Sequence, residues 1–222
     1  MEFKLETVVP WGKNLDEYRR MFDLSEVDLG KRIASFADGT SSFNAEMWKN
    51  NSKVTSLDPI YQYKRNELLD WADTVLKKAP TESIGRGLNT ESDSARFEKI
   101  RIQTISNFID DFEIGKIQSR YVYHMFPNKA AYEDQYFDLG LCANFLLLYS
   151  HLGLEFHKSS IEEMLRLCSE VRIFPIVDFR GMKLNILKDI LNYFATDYVV
   201  EIVKVNYGFQ GMGYEMLCIR RR

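Results

Sequence analysis

The chain has 222 residues, 45% of them hydrophobic, enough for one domain with a full core. A net charge of −3 with 27% charged residues leaves neither a basic footprint for nucleic acid nor an acidic tail. No stretch is long and apolar enough to cross a membrane, the first residues lack a signal peptide's apolar core, and Cys142, Cys168 and Cys218 are odd in number and widely spaced. A soluble cytoplasmic protein with reduced thiols, without disulfides or a metal site, is therefore expected.

Residues 1–30 read as a helical preamble, and 31–222 as a single α/β domain. In "NLDEYRRMF", Leu15, Tyr18 and Phe22 share a helical face, and Ser25-x-x-Asp28 is a capping box for the next turn. Trp11, in "VVPWG", is either a lid over a cleft or an anchor for the preamble. "RIASF" predicts a buried strand, Thr40 to Ser42 offer N-cap hydroxyls, and "FNAEMWKNN" predicts a helix. A second strand, "KVTSL", and a helix, "KRNELLDWADTVLKKA", come next. Residues 80–94 form a Gly/Ser/Thr-rich stretch expected to be a mobile surface loop.

A long helix is predicted from about Ala95 to Gln118, with Ile102, Ile105, Phe108, Ile109 and Phe112 as its apolar stripe. "SRYVYHMF" predicts a third strand. "YFDLGLCANFLLLY" predicts a fourth, apolar enough to be buried on both faces. "SSIEEMLRLC" predicts a helix boxed by Ser159 and Glu162, with His157 solvated ahead of it. "VRIFPIVDF" and "LKDILNYFA" supply a fifth strand and another helix. "YVVEIVKVNY" and "YEMLCIRR" are separated only by "GFQGMG", too short a link for parallel neighbours, so they must pair antiparallel. The expected fold is a three-layer Rossmann-like sheet of about seven strands, parallel except for an antiparallel C-terminal hairpin strand.

Asp58 lies 19 residues beyond Gly39, close to the spacing of a ribose-binding acid in a βαβ unit; the alternative is an ordinary turn residue before Pro59. Gly39 lets backbone approach a ligand, or simply makes a tight turn. Asn144 and Phe145 would stand near the topological switch point, with Asn144 in a cleft and Phe145 there or in the core. His124, His151 and His157 share no metal-like spacing, and hydrolase, nucleotide-triphosphatase and zincin motifs are absent.

With these residues in view, the chain resembles the class I S-adenosylmethionine-dependent methyltransferases over residues 31–222. "RIASFADGTSSFNAE" looks like the family's first motif, acid-x-G-x-G-x-G after a strand, with Gly39 on the second glycine. Ser35, Ala37 and Ser41 stand where the acid and the other glycines usually are, and Asp38 is the turn carboxylate available in place of that acid. "VTSLDP" matches the second motif and "YFDLGLCANF" the fourth-strand motif, while "VVPWGKNLDEYRRMF" and "VRIFPIVDF" suit a bacterial branch of the family.

The resemblance implies S-adenosyl-L-methionine as cofactor and a small-molecule acceptor. It implies a cofactor site of Phe36, Ala37, Asp38, Gly39, Asp58, Pro59, Asn144 and Phe145, with Asp58 solvated in the absence of ligand. Tyr149 and His151 are the candidate catalytic bases, should the acceptor need one. Two alternatives stay open: a non-catalytic scaffold that keeps this fold, and an NAD-type oxidoreductase.

Overall fold

A computed structural model describes residues 12–78, 91–182, 185–208 and 213–222, apart from the side chains of 75–78 and 91–95. Trp11, the stretch 79–90 and the centre of the last hairpin link lie outside the described residues. Two short helices lead in: α1 (Leu15–Phe22) and α2 (Glu26–Leu29), each opened by a complete capping box, Asn14/Glu17 and Ser25/Asp28. Then follow β1 (Ile33–Phe36), α3 (Phe43–Lys49), β2 (Val54–Leu57), α4 (Arg65–Lys78), α5 (Glu91–Ile117), β3 (Tyr121–Val122) and β4 (Phe137–Ala143). The chain closes with α6 (Leu154–Leu167), β5 (Cys168–Phe174), α7 (Leu187–Phe194), β6 (Tyr198–Lys204) and β7 (Glu215–Arg221).

The strands form one seven-stranded sheet in the order β3-β2-β1-β4-β5-β7-β6. The β1–β2, β1–β4, β2–β3 and β4–β5 pairs are parallel, and β7 runs antiparallel to both β5 and β6. This is the Rossmann-like sheet that the class I methyltransferase resemblance implies, with the short hairpin link forcing β7 back between its neighbours. The order reverses at β1, which lies between β2 and β4, and the crevice at the carboxyl ends of these strands is where such sheets bind ligands.

Apolar clusters cover both sheet faces. One holds Phe36, Leu146, Met164, Ile173 and Ile190. The other holds Tyr18, Phe22, Phe43, Leu141 and Phe174, so the preamble packs directly on the sheet. Tyr18 stacks on Phe43 with ring centroids 4.1 Å apart, which fixes α1 against the first helix of the domain. All three cysteines are free and buried, and among the described residues no helix is long and apolar enough to cross a membrane.

Several local expectations are corrected. The predicted fourth strand stops at Ala143: Asn144 and Leu147 turn into the left-handed region at φ 54° and 62°, and the leucines after Asn144 are buried in a turn instead. Its apolar run reported burial, which a packed turn supplies as well as a strand. The third strand keeps only two of its predicted residues. Helix α6 begins at Leu154, so Ser159 lies within it and caps nothing, and His157 is fully buried inside the helix rather than solvated. Helix α5 starts at Glu91, within the predicted loop, and its Ile102 is half exposed while the other four stripe residues are buried. Ser42 occupies the N-cap of α3 without a capping bond; its hydroxyl donates to Glu46.

Candidate functional site at the carboxyl ends of β1, β2 and β4

The chain leaves β1 through a turn with two left-handed residues, Ala37 (φ 51°) and Gly39 (φ 58°). Glycine takes that conformation without steric cost, whereas Ala37 holds it against its own Cβ. Between them Asp38 points inward, 3% exposed. The hydroxyls of Tyr18 and Ser56 donate to its two oxygens, and Tyr18 Oη is also 3.0 Å from Ser35 Oγ. Burial raises the Asp38 carboxyl above its ordinary value, and burial beside Asp38 pushes the Tyr18 phenol far up. Asp38 therefore sits beneath the turn, each of its oxygens accepting one hydroxyl. Phe36 is likewise a core side chain, edge-on to Phe126 at 5.5 Å, and offers a ligand only backbone.

At the end of β2, Asp58 joins two strand ends. Its Oδ2 accepts the Gly39 N–H at 2.9 Å, and its Oδ1 accepts the Ile60 N–H at 2.8 Å, capping a 3₁₀ turn that Pro59 opens. Tyr61 Oη returns a bond to the Gly39 carbonyl at 2.9 Å. The expectation of a solvated Asp58 is corrected: it is 7% exposed, because the Gly39 turn and the Pro59 turn close over it. Burial raises its pKa to about 7, with Asp38 adding to the rise and the two N–H donors opposing it.

Open space lies over Gly39, where an added Cβ would meet no atom within 4 Å. Three buried polar atoms without a hydrogen-bond partner stand at this same end of the sheet: Thr40 Oγ1 after β1, His124 Nε2 after β3 and Asn144 Oδ1 after β4. Of the eight such atoms among the described residues, these three stand at one sheet end, an arrangement that fits a site a ligand completes. Asn144 is held by its own N–H, which donates to the Phe174 carbonyl at 2.7 Å. His124 meets the Phe126 ring edge-on at 4.7 Å, and burial lowers its pKa, keeping the ring neutral.

Sequence reasoning weighed Thr40 only as a cap and His124 only as a metal ligand. The available signal was position, a polar residue directly after each strand on the ligand-binding edge. Tyr149 and His151 lie beyond β4, with ring centroids 5.9 Å apart; Phe145 packs 6.0 Å from Tyr149. Burial raises the Tyr149 phenol's pKa above its ordinary value, while His151 is exposed.

The residues preceding α1 cross the same turn. The Lys13 N–H donates to Ser41 Oγ at 3.0 Å and its carbonyl accepts the Ser42 N–H at 3.1 Å. Gly12 approaches so closely that a Cβ would lie 2.1 Å from the Thr40 carbonyl oxygen. A groove of about 300 Å³ lined by Glu162, Tyr193, Phe194, Thr196, Asp197 and Tyr198 lies at the other end of β6, away from these residues.

No family model matches the chain. The uncharacterized protein MJ0045 of Methanocaldococcus jannaschii is 36% identical over 225 residues, which cover 98% of each chain. Solved structures similar to this chain include a TehB-like SAM-dependent methyltransferase from Corynebacterium glutamicum, 12% identical, with a TM-score of 0.45 over 87% of this chain and 81% of that one. A SAM-dependent methyltransferase from Aquifex aeolicus is 13% identical, with a TM-score of 0.38 over 91% and 90% of the two chains. A Thermotoga maritima SAM-dependent methyltransferase, described as a possible histamine N-methyltransferase, is 11% identical, with a TM-score of 0.44 over 94% and 87%.

Proposed function

This chain belongs to one family with the Methanocaldococcus jannaschii protein MJ0045, and we propose that it is an S-adenosylmethionine-dependent methyltransferase acting on a small-molecule acceptor. The observation that carries the reading is the strand-end constellation. Asp58 braces the Gly39 turn at the point where the strand order reverses, and Thr40, His124 and Asn144 leave buried polar atoms unpartnered around it. The residues fit a nucleoside. Asp58 would accept ribose hydroxyls, Asn144 Oδ1 would accept from a base amino group, and the space over Gly39 admits the ligand to backbone contact. The amino-acid end fits less well, since Ser35 carries no charge and Asp38 is engaged by Tyr18 and Ser56.

When bound, the cofactor supplies a methyl group already activated on a sulfonium sulfur. The chain's part is then alignment, which contributes roughly 7–11 kcal/mol to such reactions without any covalent residue. Where an acceptor must lose a proton, His151 is the side chain to receive it, and Tyr149, kept protonated by burial, orients the acceptor as a donor. A second reading, a scaffold that keeps the fold without the cofactor, is favoured by one observation: the Gly39, Ser41 and Ser42 N–H groups all have partners within the chain.

Thermal unfolding with S-adenosylhomocysteine and with NAD in parallel separates these readings. A ligand bound only by the native state stabilises it by about 2.7 kcal/mol at ~100 times its Kd. For a chain of this length that raises the midpoint by roughly 5–10 °C. The expected result is a rise with S-adenosylhomocysteine and none with NAD. No rise with either at millimolar ligand supports the scaffold.

A further inference from the structure

We infer that Lys13 and Arg101 form an oxyanion-binding site beside the β1 turn, taking the carboxylate or phosphate group of a small molecule. Four elements meet there: the segment before α1, α1 itself, α5 and the chain after β6. Glu17 is the hub. Its Oε1 accepts Tyr207 Oη at 2.8 Å and faces Lys13 Nζ at 3.5 Å, while its Oε2 accepts the Asn14 N–H at 3.1 Å and a bond from Arg101 Nη2. Lys13 Nζ also donates to Tyr207 Oη at 3.1 Å, and Arg101 Nη1 donates to the Gly12 carbonyl. Lys13, Glu17 and Arg101 are 8%, 5% and 3% exposed.

Two buried cations thus share one buried carboxylate whose lone pairs are already taken. Arg20, over the Tyr207 ring at 5.3 Å, is paired with Asp16 at 2.6 Å, so Asp16 is not a free anion for the cluster. Among the described residues one positive charge of the cluster has no counter-ion, and Arg101 Nε is buried without a hydrogen-bond partner. A device that only fastened the preamble to the sheet would need one cation. The second weakens it, since burial and the nearby Arg101 lower Lys13 to about 8 against the pull of Glu17. An oxyanion would supply the missing charge and accept from Arg101 Nε and a Lys13 N–H. Through Ser41 and Ser42 the cluster adjoins the β1 turn, and it shares no residue with the strand-end groups assigned to the nucleoside, so the group it takes is distinct from the nucleoside. That the small molecule carrying this group is the methyl acceptor rests on the proposed function; the oxyanion site itself does not.

The test titrates inorganic phosphate and, in a separate arm, acetate into the whole protein at constant ionic strength held by chloride, following the unfolding midpoint and calorimetric heat. Saturable binding of one of the two is expected, reduced about tenfold or more in Lys13→Met and kept in Lys13→Arg. In Lys13→Met, Glu17 still holds Arg101, Tyr207 and the Asn14 N–H, so the fold is retained. Adenosine binding in the same variant serves as the control, because adenosine carries neither carboxylate nor phosphate and reports the nucleoside site alone. If neither anion does more than chloride, or if Lys13→Met binds phosphate or acetate as the unaltered chain does, the inference is wrong.

Discussion

Asp58→Ala is expected to lower both affinity for S-adenosylhomocysteine and the stability of the fold. The carboxylate accepts two backbone N–H groups inside a nearly closed site, so its removal leaves the Gly39 N–H unpaired and uncaps the turn at Ile60. An unsatisfied buried donor costs about 1–3 kcal/mol and a lost cap about 1 kcal/mol, partly offset by relief of the buried carboxyl. A net loss of about 2 kcal/mol lowers the midpoint by roughly 4–8 °C in a chain of this size. Ribose hydroxyls donating to the carboxylate contribute about 1.5–3 kcal/mol each, so affinity per folded molecule should fall by about one to two decades. Calorimetric titration at a temperature where the variant is fully folded separates the two effects. A lower midpoint with unchanged affinity would assign Asp58 to bracing the turn alone.

The second large effect is on pH. Asp58 has a folded-state pKa of about 7, above the ~3.9 of an unfolded Asp, so between those values the native chain binds more protons than the unfolded one. Its contribution to stability is full below about pH 4 and is lost as pH rises through 7, the reverse of a paired carboxylate such as Glu17, whose pKa is held near 2. Three units at 1.36 kcal/mol each set an upper bound of about 4 kcal/mol. His124 and His157, both lowered by burial, act in the opposite direction up to about pH 6.5, but equally in an Asp58→Asn variant. Denaturant unfolding of both proteins from pH 4 to 7.5 should therefore show the unaltered chain losing stability relative to Asp58→Asn as pH rises. Parallel curves would mean that Asp58 is ionised throughout, with its acid titration unperturbed by burial.

The sheet was legible because each of its strands is an apolar run with its own punctuation, and because six residues between the last two strands admit only one pairing. The Gly39–Asp58 spacing likewise located the two strand ends that the structure joins. What escaped was environment. Nothing near Asp58 in the sequence shows that two turns close over it, and Asp38 reads as a surface turn residue until Tyr18 and Ser56 are brought beneath the turn. The box at Ser159 had the right residues in the wrong place, since Gly153 starts α6 a turn and a half earlier. Lys13 and Tyr207, 194 residues apart, meet only because α1 packs on the sheet and the chain leaving β6 returns over it.

The most direct test of the account is to follow backbone amide resonances while S-adenosylhomocysteine is added to the whole chain. Adenosyl binding at the carboxyl ends of β1, β2 and β4 predicts saturable shifts centred on Gly39, Thr40, Asp58, Ile60, His124 and Asn144. Saturable shifts elsewhere with these six unmoved, or no shifts at millimolar ligand, would contradict it.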